Sequence, residues 1–566
     1  MAPTRRQRAS RLRLRVHSQT RLEVSCIRAS RRALIQTAPE ETTTTSGASL
    51  LRIPRNSPKL MNTSHGGLRA IFRATAILSA SSFVTILVGL VTSKVYAVLL
   101  GPKGYGYIGL LQSMMNLTIL VAGLGVGSAV VRIAAGRIAE KDEQGTADIL
   151  QGAYWLLAVA CFVAVLLIVL FRRTLSVLFL GSSGHPWAIV FMVVPIVLML
   201  FSRLNTSVLN AYHRVDALAR NTVFASVLGG TFSILVIVTW RTKGVVAAIT
   251  ADSILAWYVA HRVLRKEIGT LPRVSQVRSV LRAASSLVKF GGPYTLSMMA
   301  GTGVQLALPI LVLHMLGGDA VGYYRAAISV SVTYLGFIVT AMAQDYFPRV
   351  AAASRDSEEL GHLINKQQRV VLLLGVPVIL TALALVPVLV PLVYSFRFLP
   401  TIDMLEWQLI GDIFKYSSWT MSFAILARCS SATYFLAECV GGVSTLGASW
   451  LGMRLFGLTG LGISFVVAYA IYYLVVWIII RREIDLVLTA SNVKLFISAV
   501  GAAAAIRLIS SSSLGALRGP IAIAIAALAA VVSIIAISRE FQGSESYLRA
   551  RSAVARMTSF ALPTRD

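Results

Sequence analysis

Hydrophobic residues in this chain form long runs, which are separated by short segments rich in glycine, proline and charged residues. The runs approach the ~20 residues that an α-helix needs to cross ~30 Å of hydrocarbon. This pattern predicts an all-α polytopic membrane protein with about fourteen transmembrane helices. The predicted helices are 76–100, 105–130, 152–171, 187–204, 218–240, 244–261, 287–316, 321–347, 370–394, 404–427, 430–452, 457–480, 492–513 and 518–538.

A pattern near the first predicted hairpin recurs 216 residues later. Leu-Gly at 100–101 and Gly-Tyr at 106–107 return as Leu-Gly at 316–317 and Gly-Tyr at 322–323. In each copy a helix ends, a short turn follows and the next helix begins, so the copies predict one repeated structural unit. Six helices per unit is an even number. The repeat therefore predicts two six-helix bundles related by a pseudo-two-fold axis along the membrane normal, plus an extra C-terminal helix pair.

The repeat divides the chain into six parts. They are a basic leader (1–60), an N-terminal six-helix bundle (61–262), a basic linker (263–286), a C-terminal six-helix bundle (287–480), an extra helix pair (481–538) and a tail (539–566). The leader holds twelve Arg, one Lys and three Glu, and it lacks an apolar run long enough for a signal peptide or a span. One interpretation is an organellar transit peptide; the favoured one is sequence upstream of a true start at Met61. In both cases we expect a disordered leader.

Composition supports a membrane protein and excludes several other classes. Hydrophobic residues make up 56% of the chain and charged residues only 14%, compared with about 25% charged residues in soluble domains. The net charge of +29 does not indicate a nucleic-acid partner, because beyond the leader Lys and Arg lie mostly in short segments between apolar runs. The four cysteines are scattered singly, so no disulfide framework, metal site or cofactor is predicted.

The distribution of Lys and Arg also predicts the orientation of the chain. With a cytoplasmic N-terminus, the inward loops and tail after residue 73 carry 26 Lys and Arg, whereas the outward loops carry 9. Positive residues are enriched in cytoplasmic loops. Both termini are therefore predicted to be cytoplasmic, and the strongly basic linker is expected to face an anionic leaflet.

Two segments resemble a known family. The run LLGPKGYGYIGLLQS (99–113) is similar to the first-loop signature of lipid-linked oligosaccharide flippases in the multidrug, oligosaccharidyl-lipid and polysaccharide exporter superfamily. The run FLPTIDMLEWQLIGDIFKYSSWTMSFAIL (398–426), followed by Glu438, resembles the tenth-helix region of O-antigen and enterobacterial common antigen flippases. The resemblance implies two bundles arranged as a V, with a central cavity that faces each side alternately. It also implies transport of undecaprenyl-pyrophosphate-linked oligosaccharide across the bacterial inner membrane, with a polysaccharide polymerase and a chain-length regulator as partners.

Three cations are predicted at membrane depth, where each charge costs at least ~2.5 kcal/mol on insertion scales. Lys94 lies about two turns before Gly101, Arg325 about two turns after Gly317, and Lys415 within the tenth helix. A pyrophosphate in a wet cavity requires such cations, and Arg binds phosphate bidentately. The alternative for Lys94 and Arg325 is that they extend to the membrane surface. For Lys415 it is a local pair with Asp412, one turn earlier. Because Asp412 and Lys415 both lie in the WQLIGDIFK match, the resemblance makes both of them candidates for substrate binding.

Acidic residues in the spans are candidates for proton or cation coupling. Asp252 and Glu438 are such candidates because a buried carboxylate readily exchanges a proton. Asp345 is better interpreted as an interface residue paired with Arg349 at i,i+4. Aromatic residues at the predicted cavity mouths suit either sugar stacking or the interfacial belt. These residues are Tyr105, Tyr107, Tyr323, Tyr324, Trp407 and Trp419.

Two other functions compete with lipid-linked oligosaccharide transport. A cation-coupled drug or metabolite exporter of the same superfamily has the same helix count, but it leaves the WQLIGDIFK match unexplained. A polysaccharide polymerase or membrane glycosyltransferase is also polytopic, but it needs a large extramembrane loop or an acidic catalytic motif. The sequence shows no Ser-His-Asp set, Walker loop or metal-ligand cluster, which argues against an enzyme.

Overall fold

The computed structural model describes residues 66–269, 277–513 and 515–542. Within these ranges the regular secondary structure is helical, as predicted. The predicted leader and most of the predicted tail lie outside the described residues. The α-helices are α1 Gly66–Ala122, α2 Val126–Ala139, α3 Glu143–Leu170, α4 Arg172–Leu180, α5 Pro186–Phe191, α6 Val193–Ala211, α7 Val215–Trp240, α8 Val245–Ile268, α9 Val277–Leu316, α10 Gly318–Ile328, α11 Phe337–Ala353, α12 Ser357–Val393, α13 Thr401–Arg428, α14 Ser431–Ile484, α15 Ala490–Ser510 and α16 Arg518–Gln542.

Eight helical stretches in the described residues are long and apolar enough to cross a membrane. Three of them are 43, 54 and 53 residues long. These three are interrupted at Gly101, Arg241 and Gly457, so each contains two predicted spans. The remaining predicted spans lie in α9, in α10 with α11, which a π-helix separates, and in α13, which carries several polar and charged residues. We refer below to the membrane side with the turns at Gly101 and Gly317 as the hairpin face, and to the side where α8 leads to α9 as the linker face.

Backbone geometry repeats at the same interval as the sequence pattern. Gly101 has φ 66° and ψ −176°, and Gly317 has φ 87° and ψ 178°. Positive φ is readily adopted by glycine, which explains why both copies carry it at the break. Arg241 (φ 48°, ψ −132°) and Gly457 (φ 57°, ψ −132°) form a second pair 216 residues apart. The repeat therefore extends over both halves, including positions where the residue types differ.

The two halves meet through reciprocal contacts between equivalent turns on the hairpin face. A Cβ atom on Gly106 would lie 2.7 Å from the Gly318 carbonyl oxygen, and one on Gly322 would lie 2.0 Å from the Pro102 carbonyl oxygen. Pro102 and Gly318 are equivalent positions, and so are Gly106 and Gly322. Reciprocal contacts of this kind are expected around a two-fold axis. They agree with the predicted pseudo-two-fold relation between the bundles.

Some predicted boundaries are wrong, and the reasons are local. The second predicted helix, 105–130, ends at Ala122 because Leu124 (φ 46°) and Gly125 (φ 64°) adopt left-handed conformations. The eighth predicted helix is interrupted by a π-helix at Ser329–Tyr334. Part of the predicted linker is helical, because α9 begins at Val277.

The extra helices α15 and α16 pack along α12. Near the hairpin face, Arg507 of α15 forms ion pairs with Asp403 and with the buried Glu406, both at 3.1 Å. Near the linker face, the Asn492 side-chain amide donates to the backbone carbonyl of Asn365 at 2.8 Å. Polar contacts therefore fix α15 to the second half at both ends.

Candidate functional site

The side chain of Arg325, in the second half of the protein, contacts residues of the first half. Its Nη2 donates a hydrogen bond to Oε1 of Gln112. Its Cζ lies 4.9 Å from the centre of the Tyr105 ring, a cation–π arrangement. A Cβ atom on Gly109 would lie only 2.8 Å from Nη1 of Arg325. Because positions 105, 109 and 112 share one face of a helix, α1 presents a continuous surface to the guanidinium.

Arg325 and Gly109 are equivalent positions of the repeat, 216 residues apart. Equivalent residues that contact each other must lie close to the pseudo-two-fold axis. One half supplies the cation and the other half supplies a residue without a side chain, which leaves the space that the cation occupies. Within the described residues Arg325 makes no ion pair, and its half-buried side chain is held by an amide and a ring.

Lys94 also connects the two halves. Its Nζ donates hydrogen bonds to the backbone carbonyls of Pro391 at 3.1 Å and Leu392 at 2.7 Å. Helix α12 ends at Val393, so these carbonyls belong to its last turn and lack partners within the helix. A cation at this end also compensates the negative pole of the helix dipole. Lys94 therefore caps a helix of the opposite half.

Asp412 and Lys415 form the buried ion pair that their spacing predicts. Their side chains are 0% and 2% exposed, and Lys415 Nζ donates to Asp412 Oδ1. The Ser331 hydroxyl lies 3.0 Å and 2.8 Å from the two carboxylate oxygens of Asp412. Ser331 belongs to the π-helix, a form that is frequent at functional sites. The predicted local pair is confirmed, and Ser331 adds a partner from a second helix.

An aromatic cage surrounds the Lys415 ammonium. Four ring centres lie within 6.0 Å of Nζ, at distances that permit cation–π attraction. The rings are those of Tyr416 (4.7 Å), Phe465 (5.5 Å), Trp419 (5.9 Å) and Tyr469 (6.0 Å). Trp419, one of the residues considered for sugar stacking, therefore contacts Lys415.

Glu438 is connected to the same region through a tyrosine. The Tyr472 hydroxyl donates to Oε1 of Glu438 at 2.6 Å and lies 3.0 Å from the Ser422 hydroxyl of α13. The ring of Tyr472 packs edge-on against Tyr469, which belongs to the Lys415 cage. From the sequence, Lys415 is a candidate for substrate binding and Glu438 a separate candidate for coupling. The structure connects their surroundings in the second half through the packed rings of Tyr469 and Tyr472.

Asp252 lies on α8 of the first half. It packs against Gly229, whose added Cβ would lie 2.2 Å from Asp252 Oδ1. Helix α8, which carries Asp252, is connected to α1 through the hydroxyl of the buried Tyr96. That hydroxyl bonds to Ser233, and the Ser233 hydroxyl donates to the Ala248 carbonyl at 3.2 Å. Hydrogen bonds thus connect the helix of this coupling candidate to α1, the helix that contacts Arg325.

Several partners of these residues were not predicted from the sequence. Gln112, Ser331 and Tyr472 are ordinary polar residues in apolar runs and gave no individual signal. The stripe formed by Phe465, Tyr469 and Tyr472, spaced i, i+4 and i+7, would have indicated one aromatic face.

Two other acidic residues, Asp345 and Glu406, have clear partners. The exposed pair of Asp345 and Arg349 is confirmed as a local ion pair. Glu406 was overlooked because its partner Arg507 is far away in the sequence. The described residues contain no group of three or more His, Cys, Asp or Glu side chains placed to hold a metal.

Comparison with known proteins relates this chain to membrane transporters. It is 22% identical over 432 residues to the lipid III flippase of Escherichia coli (strain K12), covering 71% of this chain and 96% of that protein. The lipid III flippase of Shigella flexneri matches at the same identity and coverage.

Solved structures agree with the architecture. The lipid II flippase MurJ in an inward closed conformation superposes with a TM-score of 0.67 at 15% identity, covering 82% of this chain and 99% of that chain. An inward-facing multidrug resistance MATE family transporter of the MOP superfamily gives 0.59 at 18% identity, covering 71% and 94%. The fold is therefore the predicted polytopic arrangement of two bundles with an extra helix pair. Because residues 95–403, more than half of the sequence, match the family described as polysaccharide biosynthesis protein, this chain belongs to that family.

Proposed function

We propose that this protein is a flippase that carries undecaprenyl-pyrophosphate-linked oligosaccharide across the bacterial inner membrane by alternating access, in O-antigen or related polysaccharide biosynthesis. Family membership and the similarity to lipid III flippases support the substrate class. The observation that carries the proposal is the position of Arg325. Its guanidinium lies close to the pseudo-two-fold axis, and its described partners carry no formal charge.

Neutral partners suit a binding residue that must exchange them for substrate. A guanidinium forms two parallel hydrogen bonds to a phosphate, and charge-assisted bonds are roughly twice as strong as neutral ones. A pyrophosphate would therefore displace the Gln112 amide favourably. Lys94 is the second direct contact that we propose, because backbone carbonyls are likewise uncharged partners. Removing either cation from its present partner would loosen a contact between the halves, which would link binding to opening.

Asp412 and Lys415 have a different role in the proposal. Their charges already neutralise each other in a buried pair, so neither is free to bind substrate in this arrangement. We propose that the pair opens during transport, and that Lys415 then contacts the substrate while Ser331 retains Asp412. The π-helix that carries Ser331 supplies the adjustable backbone for this change.

Asp252 and Glu438 are the proposed coupling residues. Asp252 lies on α8, which hydrogen bonds connect through Ser233 to Tyr96 of α1, so a change in its charge would affect the helix that contacts Arg325. Hydrogen bonds connect Glu438 to α13 through Tyr472 and Ser422. A change in the charge of Asp252 would therefore affect the region of Arg325, and a change in the charge of Glu438 would affect the region of Lys415.

The proposed orientation places the linker face and both termini in the cytoplasm. Reporter fusions at residue 275 should then report the cytoplasm, and fusions at residues 182 and 319 the opposite side. The reverse pattern at two of these sites would overturn the orientation. A polysaccharide polymerase and a chain-length regulator are the proposed partners on the product side.

Substitution of Arg325 tests the proposed substrate. In a strain that lacks its own flippase, Arg325→Lys should retain part of the export, whereas Arg325→Ala and Arg325→Glu should lose most of it. The reason is that Lys keeps the charge, Ala removes it and Glu repels the pyrophosphate. Loss of one charge-assisted hydrogen bond corresponds to roughly 1.5–3 kcal/mol, or about ten- to a hundredfold in affinity. The measured quantity is lipid-linked oligosaccharide that accumulates on the cytoplasmic side.

Arg349→Ala provides the matched control. Arg349 lies on α11, and its only described ion pair is the exposed contact with Asp345, so its loss should leave export unchanged. Membrane levels of all variants are compared by immunoblot. Wild-type export by the Ala and Glu variants would remove Arg325 from the site. Failure of the wild-type chain to export any lipid-linked oligosaccharide would instead favour a drug or metabolite exporter of the same fold.

A further inference from the structure

The first turns of α9 form an amphipathic segment, residues 277–291, at the linker face. Its buried side chains follow helical spacing and form one face, which consists of Val280, Ala283, Leu287 and Gly291. On other faces Leu281 is 64% exposed, and Val288 is also exposed. Arg278, Arg282 and Lys289 are exposed alongside them. Cations and apolar side chains on the free surface of one helix are typical of a helix that lies in a membrane interface.

The buried face of this segment closes a seam against the first half. A Cβ atom on Gly152 of α3 would lie 3.1 Å from the Ala283 Cβ and 3.2 Å from the Val280 carbonyl oxygen. A Cβ atom on Gly125 would lie 2.3 Å from the Gly291 carbonyl oxygen. Arg132 stacks over the ring of Phe290 at 4.7 Å. We call these contacts the linker-face seam. Separation of the halves on this side requires the amphipathic segment to leave Gly125.

The depth of the segment places it among lipid headgroups. Gly291 precedes the turn at Gly317 by 26 residues, which corresponds to ~39 Å of helix. The hydrocarbon core is only ~30 Å thick. Residues 277–291 therefore lie at or beyond the boundary of the hydrocarbon on the linker face, where phosphate groups are found.

The exposed cations of this region lack acidic partners. Arg278, Arg282 and Lys289 make no ion pair within the described residues, and the neighbouring end of α8 adds the exposed Arg265 and Lys266. Glu267, the acidic residue beside them, is already paired with Arg220. Each Lys or Arg near an anionic membrane surface contributes about 1 kcal/mol of attraction.

We propose that anionic phospholipid headgroups bind the exposed face formed by Arg278, Arg282 and Lys289 and hold the linker-face seam closed. The bound headgroups anchor the segment at the interface, and its buried face then remains against Gly152 and Gly125. A membrane poor in anionic lipid weakens the anchor and favours separation of the halves on this face. The proposal concerns regulation by the surrounding bilayer and does not depend on the transported substrate.

Hydrogen–deuterium exchange of the full chain in vesicles tests this proposal. Exchange is followed in peptides covering residues 122–128 and 280–292, in phosphatidylcholine alone and in phosphatidylcholine with phosphatidylglycerol. The wild-type chain should exchange about tenfold more slowly with phosphatidylglycerol present, and added salt should reduce the difference. The Arg278→Gln/Arg282→Gln/Lys289→Gln variant should show no such difference.

Two further variants separate lipid binding from general effects. Arg173→Gln/Lys243→Gln/Arg397→Gln removes the same charge from exposed positions near the hairpin face and should behave as wild type. Arg278→Lys/Arg282→Lys keeps the charge and should retain the lipid effect, which also covers the case in which the Gln variant fails to fold. Equal exchange of the wild-type chain in both vesicles, or a lipid effect that survives in a folded Gln variant, would overturn the proposal.

Discussion

At the pseudo-two-fold axis the first half contributes Gly109 and the second half contributes Arg325, although the same turn precedes both residues. The buried ion pair of α13 shows the same contrast. Asp412 and Lys415 of the second half correspond, at the 216-residue shift, to Ile196 and Met199 of the first. All four side chains lie in helices that cross the same depth. The halves therefore share backbone geometry and differ in chemistry at equivalent points.

This comparison of the halves separates features that the fold requires from features that it does not require. The turns at Gly101 and Gly317 are alike because each starts a helix that packs against its equivalent. Charged residues are not needed for that packing, and a charge at membrane depth is unfavourable. Their restriction to one copy indicates a role beyond folding. At the axis we interpret Gly109 of the first half as the space that accommodates Arg325 of the second half.

The largest expected effect comes from replacing Asp412 and Lys415 by the residue types at the equivalent positions of the first half, Ile and Met. Asp412→Ile alone leaves the buried Lys415 unpaired, which should lower the free energy of unfolding by about 3–5 kcal/mol. Asp412→Ile with Lys415→Met removes both charges and should recover most of that stability. Thermal unfolding in detergent measures both variants. A double variant no more stable than the single one would contradict a simple ion pair.

A smaller effect is expected from adding a side chain at Gly109, close to the pseudo-two-fold axis. Gly109→Leu would place atoms where the Arg325 guanidinium lies, and overpacking of this kind typically costs about 1–3 kcal/mol. Export should fall at least about tenfold, which corresponds to 1.4 kcal/mol. Gly89→Leu on the same helix is the control, because nothing lies within 4 Å of an added Cβ there. Equal export by both variants would show that the contact at the axis is not required.

The smallest effect is expected at the exposed pair of Asp345 and Arg349. Its side chains are 76% and 46% exposed, and ion pairs of this kind contribute about 0–1 kcal/mol. Asp345→Asn should therefore leave both export and thermal stability close to wild type. A loss comparable to that of the buried pair would mean that exposure is a poor guide to the importance of these charges.

The sequence predicted the features that depend on local spacing. The turn at Gly101 and its copy were visible because helix ends and glycine occur together, and the pair of Asp412 and Lys415 because i,i+3 residues share a helix face. Ser331 was not predictable as a partner, since hydropathy does not reveal a π-helix. The contact between Arg325 and Gly109 requires the position of the axis, which only the packed halves define.

Binding of undecaprenyl pyrophosphate to the purified chain tests the central claim, that Arg325 at the axis holds the pyrophosphate. Affinity would be measured for wild type and Arg325→Ala, with undecaprenol as the ligand that lacks phosphate. We predict that wild type binds the pyrophosphate at least about tenfold more tightly than Arg325→Ala does, and that the two bind undecaprenol equally. Equal affinity of both proteins for undecaprenyl pyrophosphate would contradict the claim.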